Sequence, residues 1–119
     1  MLDDGIYSLA LTAAGFHSEE RSSALAVLRG GSILGADRWG GVFSGTYAFD
    51  PSMRVERVEI RLAIPPDGDT LTGLKGGPDG ASVEFSAVFV GREAVARATV
   101  DIGGRLLILE LAYVGPLPG

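Results

Sequence analysis

Apolar and polar residues alternate at period two through most of the chain. From Val55 to Ile64, the residues Val58, Ile60, Leu62 and Ile64 alternate with Arg57, Glu59, Arg61 and Ala63. One face is apolar and the other charged, the pattern of an antiparallel strand with one solvated side. Ala81 to Val90 repeats it, with Val83, Phe85, Ala87 and Phe89 on one face. Ile6 to Thr12 sets Tyr7, Leu9 and Leu11 together, and Val42 to Phe49 sets Phe43 with Tyr47 around Gly45. An interior strand glycine marks a bend or a close backbone approach. Segments 94–102 and 106–114 read as the last two strands, and a short one is expected at Thr70 to Leu74.

Residues 22–28 admit two readings. Ser18-Glu19-Glu20 has the form of a helix start, with Gly30 as its stop. Leu28-Arg29-Gly30-Gly31-Ser32-Ile33 has the form of a hairpin closed by a Gly-Gly turn. The strand reading is preferred. The expected fold is all-β: one domain over residues 1–119, an antiparallel up-and-down β-barrel of about eight strands with room for one short helix.

The last hairpin can be read in register. A two-residue turn at Gly103-Gly104 sets Asp101 opposite Leu106, Val100 opposite Leu107, Thr99 opposite Ile108 and Ala98 opposite Leu109. Arg97 then meets Glu110, Ala96 meets Leu111 and Ala94 meets Tyr113. One face pairs small residues with large ones, which suits a narrow barrel interior. The other carries Leu106, Ile108, Ala112 and Val114, with Val95 beside them. An apolar strip on an outer face marks a candidate interface, and a homodimer is its first expected use.

Composition narrows the function classes. The 119 residues hold no cysteine, which removes disulfides and thiolate metal sites and fits a reducing compartment. The opening residues lack a basic-then-apolar leader pattern, and no apolar run approaches the roughly 20 residues of a membrane helix. The expected location is the cytoplasm, with no membrane partner. A net charge of -5 argues against nucleic acid, whose binding rests on basic patches. Glu19, Glu20, Asp67 and Asp69 form a candidate acidic patch for a basic partner. Eighteen glycines, dispersed and often paired, fit many tight turns between short strands.

Catalytic chemistry finds few carriers. The single histidine, His17, lies in a polar connection; without cysteine, Cys–His catalysis is excluded. No serine sits in a nucleophile-elbow pattern, and no glycine cluster has the spacing of a phosphate loop. Asp3, Asp4, Asp67 and Asp69 could form an all-carboxylate cation site, but their spacing is not that of a calcium loop. Trp39, in the glycine-rich stretch 35–41, is a candidate for a ligand-binding barrel mouth or for a plug of it. The expectation is a protein that is not an enzyme and carries no cofactor.

Three segments together resemble the bacterial GrlR-like family, named for a negative regulator of type III secretion. They are Asp4-Gly5-Ile6-Tyr7-Ser8-Leu9, the block from Ala26 to Asp37 with its glycine turn and Gly35-Ala36-Asp37 close, and Phe43-Ser44-Gly45-Thr46-Tyr47. The resemblance spans about residues 4–50. It implies a lipocalin-like β-barrel, dimerisation and the binding of a transcriptional activator. The family regulator's run of alternating acidic residues for partner binding has no counterpart here. The expected function is a regulatory, protein-binding module; the alternative is a carrier that holds an apolar small molecule inside the barrel.

Overall fold

The computed structural model describes residues 2–13, 22–37, 40–67, 77–90, 95–102 and 104–118. It holds eight strands: β1 (Gly5–Ala13), β2 (Ser22–Arg29), β3 (Ser32–Ala36), β4 (Val42–Asp50), β5 (Val55–Ile64), β6 (Ala81–Val90), β7 (Val95–Ile102) and β8 (Arg105–Gly115). They form one antiparallel sheet in the order β6-β5-β4-β3-β2-β1-β8-β7. Long-range pairing of β1 with β8 bends the sheet round into a nearly closed barrel. No helix occurs among the described residues, and residues 22–29 are strand. The segment at Thr70 to Leu74 and the polar connection around His17 lie outside the described residues.

Turn chemistry explains why the strand reading of residues 22–29 wins. Gly30 and Gly31 adopt φ of 58° and 87°, the doubly positive pair that a tight hairpin turn requires and that other residues resist. Arg29 then pairs with Ser32 and Val27 with Leu34. The final hairpin keeps the register read from its turn, from Ile102 opposite Arg105 through Arg97 opposite Glu110 to Ala96 opposite Leu111. Ala94 lies outside the described residues. Tyr113 follows the inward parity of Leu109 and Leu111 but is half exposed at the barrel end, its ring edge-on to Tyr7 with centroids 5.5 Å apart.

The inward faces meet in one core. Leu9, Leu28, Phe43, Val58, Leu62 and Leu109 have no exposed surface. Gly45 makes the tightest approach: a Cβ there would run into the Glu59 carbonyl oxygen and lie 3.0 Å from the Ile60 Cα. Strand β4 can cross so close to β5 only with glycine at that position, between the buried rings of Phe43 and Tyr47.

Candidate interaction surface

The outward faces divide the barrel into a wet half and a dry half. On the wet half, β5 presents Arg57, Glu59 and Arg61, β4 presents Ser44 and Thr46, and β6 presents Glu84 and Ser86. Arg61 holds Glu84 across the β5–β6 ladder at 2.6 Å, and Arg57 holds Asp50 at 3.3 Å. Both pairs face water and add little stability. The Asp50 carboxyl titrates below its ordinary value, because the Ser52 hydroxyl and then the Met53 N–H donate to its charged form. An open depression of about 540 Å³ lies between these side chains, lined also by Gly45, Ile60 and Phe85.

The dry half spans β3, β2, β1 and β8. Among the described residues of β1, β2 and β3, the only outward charge is Arg29, at the end of β2. Leu25 and Leu34 are each 61% exposed, and Val27 lies between Ile6 on β1 and Leu34 on β3. The five positions singled out on the last hairpin continue this surface. Val95 pairs with Ala112, which pairs with Ser8, which pairs with Leu25, so one row crosses four strands. Leu106 and Val114 are strongly exposed, while Val95, Ile108 and Ala112 are half-buried. The row through Ala10 is different. Ala10 is covered, and Glu110 beside it is mostly buried and bound to Arg97 at 2.8 Å. On this half, bare apolar surface lies at Leu25, Val27 and Leu34 on one side and at Leu106 and Val114 on the other; across the barrel, Val42 on β4 and Val88 and Val90 on β6 are exposed as well.

Hairpin arithmetic locates the β8 strip. It cannot locate Leu25, Val27 and Leu34 beside it, because only the long-range β1–β8 ladder brings them together. Their sequence signal was alternation on β2, where Leu25 and Val27 fall opposite in phase to the buried Ala24, Ala26 and Leu28.

One barrel end is tied by the segment before β1. The Leu2 N–H donates to the Glu56 carboxylate at 3.3 Å, and the Leu2 side chain packs on the core. The Tyr7 hydroxyl donates to the Asp3 carbonyl at 2.8 Å. The Asp4 carboxylate accepts from the Tyr47 hydroxyl at 2.5 Å and from the Gly30 N–H at 3.2 Å. Burial first, then the Asp3 charge, raises the Tyr7 phenol above its usual value. Burial and the bond to Asp4 raise Tyr47. Glu56 is inward and 4% exposed, with one carboxylate oxygen buried and unbonded. Its parity with Val58 and Ile60 was the available sign of that placement.

The remaining candidates are dispersed. Asp67 is exposed at a turn, with φ 56° and its N–H on the Gly77 carbonyl at 2.6 Å. Glu19, Glu20, Asp69 and Trp39 lie outside the described residues. Just before Trp39, Asp37 is buried and its carboxylate accepts the Gly41 N–H at 2.8 Å. Among the described residues, no cluster of three or more His, Asp or Glu is placed to hold a metal ion, and no helix is long and apolar enough to cross a membrane. Comparison of the sequence with protein-family models and with curated proteins finds no match in either.

Proposed function

We propose that this chain is a non-enzymatic regulatory module that binds protein through the dry half of its exterior, first a second copy of itself and then a regulatory partner. The observation that carries the reading is the exposed apolar surface of Leu25, Val27 and Leu34 on β2 and β3, with Leu106 and Val114 on β8 beyond the half-buried outward face of β1. Clustered water-facing apolar side chains of this kind are costly unless a partner covers them. The GrlR-like resemblance, with its dimerisation and partner binding, points the same way.

The carrier reading draws less support. A hollow interior would leave water-sized surface on its lining, yet Leu9, Leu28, Phe43, Leu62 and Leu109 reach inward with none exposed. The test is capture from the native host by three proteins: the natural chain, Leu25→Glu/Leu34→Glu, and Glu59→Lys on the wet half. The expected outcome is a protein retained by the first and third and lost by the second. Identical retention by all three, or retention by none, would contradict the reading.

A further inference from the structure

Strand β5 begins with a carboxyl group turned into the barrel. Glu56 shares the inward face with Val58 and Ile60, and its cross-strand partners are Phe49 on β4 and Phe89 on β6. The residue is 4% exposed, and its Oε2 is buried with no hydrogen-bond partner. Arg57, next in the chain, points outward and is held by Asp50. A buried carboxylate oxygen without a donor is costly, and a partner that supplies one removes that penalty.

The segment before β1 is what reaches Glu56. The Leu2 N–H donates to Oε1 at 3.3 Å, long beside the roughly 2.7–2.9 Å of a charge-assisted bond. The Leu2 side chain packs on the core. The Asp3 carbonyl accepts from the Tyr7 hydroxyl, and the Asp4 carboxylate accepts from the Tyr47 hydroxyl and the Gly30 N–H. Residues 2–4 therefore lie on the barrel end as a bound peptide would, with a nitrogen donor, an apolar side chain beside it, then a carbonyl and a carboxylate. The match is incomplete at one atom. A backbone N–H has one proton to give, and Glu56 has two oxygens to fill. An ammonium group has three.

We propose that this end of the barrel binds the free amino terminus of a peptide whose first side chain is the size of leucine, and that residues 2–4 occupy the site in competition. The incoming ammonium donates to both oxygens of Glu56, flanked by Phe49 and Phe89. The first side chain takes the place of Leu2, so no further cavity is needed. The second carbonyl takes the Tyr7 hydroxyl. Capture of an amino terminus by prepositioned acceptors is a recurring mode of peptide recognition. Because residues 2–4 must leave first, the apparent affinity is lowered by the fraction of time the end is open. Weakening their hold on the barrel should tighten the binding of the peptide. The site lies at the barrel end and not on its outer wall, so its test is independent of the dimer reading.

The test is titration of the full chain with leucyl-glycinamide, followed by the NMR signal of the Gly30 amide. Saturable binding is expected, with a shift of that amide as it loses its bond to Asp4. Acetyl-leucyl-glycinamide lacks the ammonium and glycyl-glycinamide lacks the side chain. Each should bind at least about tenfold more weakly. Glu56→Gln keeps an acceptor for the Leu2 N–H but not the charge, and should lose at least about tenfold in affinity. Tyr47→Phe removes one bond to Asp4 and should gain about fivefold. The two variants move in opposite directions, which a general loss of structure would not produce. No binding to the natural chain or to Tyr47→Phe at millimolar peptide would overturn the proposal. Equal binding of either control peptide, or a loss in Tyr47→Phe equal to that in Glu56→Gln, would overturn it as well.

Discussion

A methyl group on Gly45 would meet backbone on the neighbouring strand, not the yielding end of a side chain. Gly45→Ala must therefore push β4 from β5 along the most buried stretch of the core. Gly104 differs: its surroundings are open, and only its φ of 87° resists a side chain. We expect Gly45→Ala to cost about 1–3 kcal/mol through forced displacement. Gly104→Ala should cost about 1–2 kcal/mol from the left-handed backbone alone. Urea unfolding of the two variants measures the difference, and a larger loss at Gly104 would contradict the packing account. Alternation around Gly45 was legible, but the identity of the atom it approaches was not, since that needs the β4–β5 register.

The elements show a similar division. Local turn chemistry fixed the two Gly-Gly hairpins, and the pairing of β7 with β8 could be read residue by residue. The pairing of β1 with β8, almost a whole chain apart, leaves no local mark, and it alone sets the two apolar strips on the same side of the barrel. The tie between the start of β1, the β2–β3 turn and β4 was invisible for the same reason. It rests on Asp4 meeting Tyr47 and Gly30 across three elements. Tyr47→Phe should cost about 1 kcal/mol at neutral pH by removing one of these bonds. Alkali gives the sharper readout. Both Tyr7 and Tyr47 hold their protons more tightly when folded, so the unfolded chain ionises first. Stability should hold steady below the unfolded tyrosine value of about 10, then fall as pH rises through the raised folded values. In Tyr47→Phe that alkaline fall should be smaller; an unchanged slope would mean the Tyr47 hydroxyl is not held as described.

At the scale of the whole molecule, Arg57, Glu59, Arg61 and Glu84 gather on one side of the barrel, with exposed Val88 and Val90 beside them, while Leu25, Val27 and Leu34 form a side with little charge. Period-two alternation marks which residues leave the core, but not which outward faces end up adjacent. That depends on strand order, here β3-β2-β1-β8. The asymmetry is the basis for reading the chain as a protein-binding module that first binds itself. Sedimentation velocity of the natural chain and of Leu25→Glu/Leu34→Glu tests that reading most directly. The account predicts a particle of about twice the 12.3 kDa chain mass at micromolar concentration, converted by the paired substitutions to a folded species of single-chain mass. A natural chain that sediments at 12.3 kDa across that range would contradict it.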